Sequence, residues 1–306
     1  MARKDERRKQ MVLYLGLIAL GSISVRLLMS VDLADSALMY VLLPFAGALI
    51  IAATLPDLSG KKWWHGYAEH TLIALMVFLG SSIVLFEGFV CVLFFMPIYL
   101  LIVGIAFVFS YFDARAKNRR AKLKCSLIPL ALMVISLEGI NEPLSFNRSE
   151  TVAITVSTSL SAQEVFTNLQ QPIDLQTDRH WLLDIFPMPE PTSGHPLAPG
   201  HIEEVAVRYH RWFIANEHSG AIRLHIDQAD ANTCRATVMS DTTLFAGYLD
   251  LESFQIDVKP DGPDNAVTLT ISYQRKLDPV WYFGPLTRFA IQQTAQLLMK
   301  EVIIRG

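Results

Sequence analysis

The sequence is poor in cysteine and in charged residues. Three cysteines, Cys91, Cys125 and Cys234, lie too far apart along the 306 residues to suggest a disulfide framework or a zinc site. Charged residues make up 18% of the chain and hydrophobic residues 52%, a balance shifted toward membrane proteins. Gly-rich phosphate loops, nucleophile elbows and His-Glu-x-x-His patterns are absent from the sequence. The sequence therefore predicts no cofactor and no metal site.

The C-terminal part lacks an excess of basic residues. Residues 1–124 contain 14 Lys and Arg against 8 Asp and Glu, whereas residues 125–306 contain 12 against 21. Because phosphate contacts need clustered cations, the acidic part is a poor nucleic-acid binder, and we expect no nucleic-acid partner. The positive charge is concentrated beside apolar stretches instead.

Long apolar stretches are confined to the N-terminal part. Four of them reach or approach the ~20 residues that cross ~30 Å of hydrocarbon, at 11–29, 37–55, 71–86 and 89–109. The first shows no clear small-residue cleavage site before Val31, which favours an uncleaved helix over a signal peptide. Residues 125–137, with Pro129 inside, are short enough to form either a fifth span or an interfacial or re-entrant segment. Residues 1–140 are therefore predicted to form a multi-pass membrane domain of four or five helices, with the lipid bilayer as a partner.

The basic segments predict the orientation of this domain. By the positive-inside rule, residues 1–10, 57–67 and 113–124 lie on the cytoplasmic side of a cell membrane, either plasma or inner. Cations before and acids after residues 125–137 favour a crossing there, which makes the C-terminal domain extracytoplasmic. Arg26 and Glu87 fall near the outer boundary, where they either pair with each other or reach the interface independently.

From Glu150 onward the pattern changes to that of an α+β domain. Val152, Ile154 and Val156 alternate with polar or small residues as in a strand, and Ser161 with Glu164 predicts a capped short helix. Four or five further strands are expected, near 203–213, 219–227, 233–240, 247–258 and 266–276. A long helix follows from about 278 to 304, interrupted at Gly284-Pro285 or continuous. Residues 187–200 are rich in proline and are predicted to be a loop.

This order of elements resembles the helix-grip fold of the START-like, or SRPBCC, superfamily, which includes polyketide cyclases/dehydrases and lipid-transfer proteins. The resemblance is carried by residues 152–166, Val-Ala-Ile-Thr-Val-Ser-Thr-Ser-Leu-Ser-Ala-Gln-Glu-Val-Phe, and by the closing segment that starts at Trp281-Tyr-Phe-Gly-Pro. It covers residues 150–306, and the preceding apolar helices are similar to those of a membrane-anchored branch. The resemblance implies an antiparallel sheet around a long C-terminal helix, with an apolar cavity between them.

The resemblance implies a bound hydrophobic molecule more readily than a reaction. The predicted function is binding or transfer of a hydrophobic small molecule or lipid. The alternatives are a cyclase- or dehydratase-like enzyme on such a substrate and a structural interaction scaffold. Catalytic residues and protein partners are not specified by the sequence. The candidates for lining the cavity are aromatic: Trp212, Phe254, Tyr273 and Phe289.

Polar candidates near the cavity have ordinary interpretations as well. His195 and His201, with Glu203 and Glu204 nearby, form either a mouth over the cavity or simply a polar loop. Asp250 and Glu252 lie where the apolar phase of a strand shifts, which indicates a β-bulge and leaves them as pocket acids or as plain edge residues.

Overall fold

The computed structural model divides the chain into two compact units. One consists of Met1–Phe146 with Leu277–Tyr282, and the other of Asn147–Lys276 with Phe283–Gly306. The structure describes residues 37, 40–41, 44–45, 63–84, 89–115, 131–132, 134–140, 142–173, 175, 188–190, 194, 197–210 and 217–305. The predicted first span, most of the second, and the basic segments 1–10 and 116–124 lie outside these residues.

Two long helices dominate the described part of the first unit. Helix α1 spans Trp63–Val84 and helix α2 spans Phe89–Arg115, with Pro97 inside it. On α2, Ile98, Ile102 and Ala106 recur every four residues and are buried, because residues at this spacing share one helix face. They belong to a core cluster that also contains Ala37, Val41, Phe45, Val103, Phe107 and Leu132.

Polar contacts join the two helices. The hydroxyl of Tyr67 on α1 donates a hydrogen bond to the carbonyl of Leu100 on α2 at 3.0 Å. His70 Nε2 lies 2.9 Å from the hydroxyl of Tyr99. Within the residues that the structure describes, no helix has both the length and the apolar character needed to cross a membrane.

Of the short apolar segment 125–137, the structure describes residues 131–132 and 134–137. Helical residues at 131–132 and 134–135 give way to a turn over 136–139, and Ser136 Oγ donates to the carbonyl of Leu132 at 2.6 Å. A 3-10 helix, Glu142–Leu144, follows. Within this first unit, Glu138 Oε1 also accepts a hydrogen bond from the backbone N–H of Val280 at 2.8 Å.

The second unit is built on one antiparallel sheet of seven strands in the order β1-β7-β6-β5-β4-β3-β2. The strands are β1 Ser149–Thr158, β2 Met188–Pro189, β3 Ile202–His210, β4 Glu217–Ala229, β5 Thr233–Asp241, β6 Leu249–Asp261 and β7 Asp264–Arg275. Consecutive long strands pair as hairpins, and β1 closes against β7. Gly262, with φ of 64°, occupies the left-handed conformation that the β6–β7 turn requires.

Alternation along the strands separates an inner from an outer face. On β7, Val267, Leu269, Ile271 and Tyr273 are buried, while the residues between them are more exposed. We call the face that carries these buried residues the inner face. The C-terminal helix packs on the inner face of β1, β6 and β7 through residues that include Ile291, Ala295 and Val302.

Two helices flank this sheet. Helix α3, Ala162–Leu169, begins at a capping box: Ser161 Oγ accepts from Glu164 N at 3.3 Å, and Glu164 Oε2 accepts from Ser161 N at 2.8 Å. Helix α4, Val280–Leu298, continues into a π-helical turn, Met299–Ile304. The end of this turn is tied to α3, because Asn168 Nδ2 donates to the carbonyl of Ile303 at 3.0 Å. The predicted antiparallel sheet with a long C-terminal helix, a helix-grip arrangement, is confirmed.

Three local features refine the predictions made from the sequence. Helix α4 continues through Gly284 and Pro285 without a break. The bulge in β6 is confirmed by a register shift between Leu251 and Ser253. The prediction that 187–200 is entirely loop is wrong, because Met188–Pro189 forms a short edge strand on β3. An edge position tolerates proline, which has no N–H to donate to a ladder.

Candidate ligand-binding site

One row of side chains crosses the inner face of the sheet. Cross-strand pairing sets Glu150 on β1 opposite Tyr273 on β7, and Tyr273 opposite Leu251 on β6. Toward the other edge of the sheet, and on the same inner face, Val238 on β5 lies opposite Leu224 on β4, and Leu224 lies opposite Glu203 on β3. Val238 follows Thr237, whose partner on β6 is Ser253, beside the bulge. We call these six residues the inner row: Glu150, Tyr273, Leu251, Val238, Leu224 and Glu203.

The terminal helix covers only part of the inner face. The core cluster that contains the helix draws its strand residues from β1, β6 and β7, and among the described residues it includes none from β3, β4 or β5. On the inner face of those three strands, Val205, Ile222, Leu224 and Val238 are half-buried, whereas their neighbours Val207, Ile226, Cys234 and Ala236 are buried. The sheet thus has an apolar surface beside the packed core, and a hydrophobic molecule fits such a surface.

The β1 end of the inner row carries a set of three polar side chains. Glu150 Oε2 accepts a hydrogen bond from the Tyr273 hydroxyl at 3.0 Å and another from Arg288 Nε, on helix α4, at 3.2 Å. Tyr273 is completely buried and the Glu150 side chain is 8% exposed, whereas the Arg288 side chain is 55% exposed. The charge of the buried carboxylate is therefore balanced by a guanidinium that reaches it from the solvent side.

The electrostatics of this set keep Tyr273 protonated. Burial raises the pKa of the Tyr273 hydroxyl, and the adjacent Glu150 carboxylate raises it further through its charge and its hydrogen bond. The phenol therefore remains a donor to Glu150 and does not act as a base at neutral pH.

The β3 end of the row carries a second acid. Glu203 shares the inner face with Val205 and Val207, and its Oε2 lies 3.4 Å from Nε2 of His201, which precedes the strand. The structure thus brings together two of the four polar residues predicted near a cavity mouth. Glu204 points to the opposite face and pairs with Arg223, while His195 lies outside the described residues.

The four aromatic residues that were predicted to line a cavity do not share one location. Tyr273 is in the inner row, and Phe254 lies on the inner face opposite Ile271, packed against the core cluster. Phe289 is 42% exposed, which does not fit an inner-side position on helix α4, because the buried face of that helix follows Gly284, Ile291 and Ala295. Trp212 lies outside the described residues, as do Arg26 and Glu87. The role of these aromatic residues in lining a cavity stays a prediction.

The acids at the bulge face away from the inner row. Asp250 Oδ1 pairs with Lys276 Nζ at 2.7 Å, and Glu252 Oε1 accepts from Gln274 Nε2 at 2.7 Å. The Asp250 side chain is 55% exposed and the Glu252 contact is exposed, so both acids lie on the outer face of the sheet; they are not at an edge, because β6 lies between β5 and β7. Across the part of the chain that the structure describes, no group of three or more His, Cys, Asp or Glu side chains is arranged to hold a metal ion.

Sequence reasoning did not identify Glu150 and Arg288 as members of a site. Glu150 belongs to the even-numbered set of Val152, Ile154 and Val156, so strand periodicity places it on their face. The signal that could have identified Glu150 was therefore an acidic residue at a strand position that periodicity assigns to the apolar face. Arg288 offered no comparable signal, because it begins a polar i,i+4 series on the helix that continues through Gln292, Gln296 and Lys300.

Solved structures with similar architecture cover about half of this chain. A START superfamily protein from Mycobacterium smegmatis has 15% sequence identity and a TM-score of 0.31, covering 51% of this chain and 95% of its own. Ara h 8.0201 has 11% identity and a TM-score of 0.29, covering 49% and 95%. The di-domain ARO/CYC BexL from the BE-7585A biosynthetic pathway has 14% identity and a TM-score of 0.34, covering 61% and 59%. No protein-family model matches the chain, and no curated protein matches it significantly.

Proposed function

We propose that this chain is a membrane-anchored protein of the START-like superfamily whose C-terminal domain binds a hydrophobic small molecule or lipid. The observation that carries the ligand proposal is the half-buried apolar surface on β3, β4 and β5, beside the core formed with the terminal helix. The binding surface consists of the apolar members of the inner row, Leu251, Val238 and Leu224, together with Val205 and Ile222.

The energetics favour an apolar ligand at this surface. Each Å² of apolar surface removed from water contributes about 25 cal/mol, so residues left half-buried by the protein's own core can contribute further when a ligand covers them. Small-molecule sites typically combine such apolar walls with a few fixed polar groups. The polar groups here stand at the two ends of the row, Glu150 with Arg288 and Glu203 with His201.

A pair of neighbouring substitutions tests this proposal. Val238 pairs with Leu224 and faces inward, whereas Ser240, two residues on and beyond a bulge, pairs with Arg223 on the outer face and is exposed. Val238→Trp should fill the ligand surface and weaken saturable binding of a fluorescent fatty acyl methyl ester to the purified full-length protein. Overpacking by one large side chain costs about 1–3 kcal/mol, which corresponds to roughly 5- to 150-fold in affinity.

Ser240→Trp is the matched control, since it adds the same ring to the opposite face of the same strand. It should leave the affinity within about twofold of the wild type. Equal effects of the two substitutions would refute this location for the ligand. Absence of saturable binding by any hydrophobic probe would favour a structural role for the domain.

The membrane proposal is supported by apolar exposure in the first unit. On α1, Leu72, Leu75 and Met76 are exposed at the i, i+3, i+4 spacing of one helix face. Other large apolar residues of this unit are exposed too, namely Leu101, Val134, Ile135, Leu137, Leu144 and Phe146. Exposed apolar patches mark surfaces that contact another apolar phase, and the adjacent basic segments favour a lipid bilayer as that phase.

Cysteine labelling of intact cells tests the orientation. In a variant without its three natural cysteines, new cysteines at Asp35 and Met239 should react with a membrane-impermeant reagent, and one at Lys61 should react only after permeabilisation. Labelling at position 61 but not at position 35 would show that the true orientation is the reverse of the proposed one. Labelling at position 35 but not at 239 would place the C-terminal domain in the cytoplasm.

A further inference from the structure

The Glu150, Tyr273 and Arg288 side chains form an incompletely used hydrogen-bonding set. Within the described part of the chain, the hydrogen bond from Nε to Glu150 is the one that the Arg288 side chain makes. A guanidinium carries five N–H donors in a planar fork, and the four on its two terminal nitrogens are left for another acceptor. Because the side chain is 55% exposed, a ligand can reach them.

The other two residues hold the guanidinium in place. Glu150 is anchored by the hydroxyl of the fully buried Tyr273, so its carboxylate is fixed relative to the sheet. That carboxylate binds Arg288 through Nε, at the side of the guanidinium. The edge formed by Nη1 and Nη2 remains open, and it can form two parallel hydrogen bonds with a carboxylate or phosphate. An arginine fixed at Nε is thereby preorganised for an anion.

The position of this set matches an amphipathic ligand. Tyr273 is itself buried in the core cluster, so the half-buried residues that a ligand could cover are Leu251, Val238 and Leu224, which lie one, two and three strand spacings from Tyr273, or up to about 14 Å. A ligand whose polar end is bound at Arg288 would lay its apolar part along these residues. A cationic head group is disfavoured there by the guanidinium, and a neutral ester or alcohol gains less from a charged donor than an anion does.

We propose that Arg288 is a specificity-determining residue that binds the anionic oxygens of an amphipathic ligand, either the carboxylate of a fatty-acid-like molecule or a phosphate monoester. Glu150 and Tyr273 are positioning residues, which orient the guanidinium without contacting the ligand. This inference rests on the proposed ligand-binding function and adds the chemical class of the ligand.

The test is a competition measured on the intact full-length protein by native mass spectrometry. The protein is incubated in detergent with equimolar palmitic acid and methyl palmitate, and in a second arm with equimolar hexadecyl phosphate and methyl palmitate. The wild type should bind at least one of the anions over the ester by roughly tenfold or more. Comparing the two arms distinguishes a carboxylate from a phosphate ligand.

The variants separate the charge from the planar fork. Arg288→Gln should reduce the acid-to-ester ratio about tenfold while leaving binding of the ester unchanged. Arg288→Lys keeps the positive charge but loses the planar fork, so it should give an acid-to-ester ratio between those of the wild type and the glutamine variant. It also replaces the glutamine variant in the test if that variant does not fold. The matched control is Arg223→Gln, because Arg223 is 53% exposed and also pairs through Nε with a glutamate, Glu204, but on the outer face.

The outcomes distinguish the inference from the function on which it rests. Equal acid-to-ester ratios in the wild type and both Arg288 variants, with clear binding of the ester, would overturn the role of Arg288 and leave the proposed function standing. An equal loss in the Arg223 variant would also overturn it, because the effect would then be one of general charge. Binding of none of the three probes by the wild type would overturn the proposed function and this inference together.

Discussion

The hydrogen bond from Tyr273 to Glu150 gives the sharpest test of how the inner face is stabilised. Tyr273→Phe removes one hydroxyl and leaves the ring, so the change isolates a single bond of 3.0 Å to a carboxylate whose side chain is 8% exposed. Hydrogen bonds to charged groups contribute about 1.5–3 kcal/mol, and the Glu150 carboxylate would keep Arg288 as its remaining partner. We therefore expect the second unit to lose about that much of its free energy of unfolding.

Hydrogen exchange on the full-length protein measures this loss locally. A loss of about 1.5–3 kcal/mol in the opening free energy of β7 corresponds to roughly 10- to 150-fold faster exchange in peptides from Asp264–Arg275. The matched control is Thr155→Val, which removes the exposed 2.8 Å contact between the Thr155 and Thr268 hydroxyls on the outer face of the same two strands. Its effect should stay within about threefold, since exposed neutral hydrogen bonds contribute little. Equal rates in the Tyr273 and Thr155 variants would refute the reasoning.

The pH dependence of the same bond has a defined sign. The pKa of Tyr273 is raised in the folded protein by burial and by Glu150, while the unfolded tyrosine keeps a pKa of about 10. Its contribution is therefore fully present below about pH 10 and is lost as the pH rises toward the raised folded-state pKa. Between about pH 9 and 11, Tm should fall more steeply for the wild type than for Tyr273→Phe. Parallel profiles would contradict this assignment.

Two further predictions concern the helices of the second unit. Ser161→Ala removes the side-chain hydrogen bonds of the capping box of α3 and leaves the bond from the backbone N–H of residue 161 to Glu164, and it should accelerate amide exchange in that helix several-fold. Backbone and side-chain hydrogen bonds from Ser161 lower the pKa of Glu164, and the variant loses the side-chain bond. The stability that this bond contributes is lost as the pH falls through the lowered pKa, so Tm below about pH 5 should fall more steeply in the wild type than in the variant. Ile291→Ala should lower Tm by about 4 °C or more, because Ile291 is buried in the core cluster. Phe289→Ala should change Tm by less than about 2 °C, because Phe289 is exposed. Differential scanning fluorimetry measures both values, and a larger loss at position 289 than at position 291 would place Phe289 in the core.

Strand periodicity predicted the sheet well because one face of it is buried. Val267, Leu269, Ile271 and Tyr273 all fall on the inner face, as their spacing of two requires. The phase shift between Leu251 and Phe254 likewise predicted the bulge in β6. Burial on one face fixes the register, since a slip of one residue would expose every apolar side chain of the strand.

The polar members of the site could not be assigned in the same way. A carboxylate such as Glu150 can occupy an inner position only when a partner from elsewhere in the chain compensates its burial. Its partners are separated from it by 123 residues for Tyr273 and 138 for Arg288. Local patterns contain no information about contacts at such separations, so the set becomes visible only when the strands and the helix are placed together.

The geometry of the α-helix explains why Arg288 reaches the sheet although it begins a polar series. Four residues advance a helix by about 400°, so each i,i+4 step rotates about 40° beyond a full turn. Over the two steps from Arg288 to Gln296, within the α-helix, the series rotates by about 80°, which carries it away from the side where it began. Arg288 itself lies four residues after Gly284 and three before Ile291, both buried, and it therefore starts the series beside the sheet. The first residue of the polar series is in this way turned toward the sheet, where its Nε donates a hydrogen bond to Glu150.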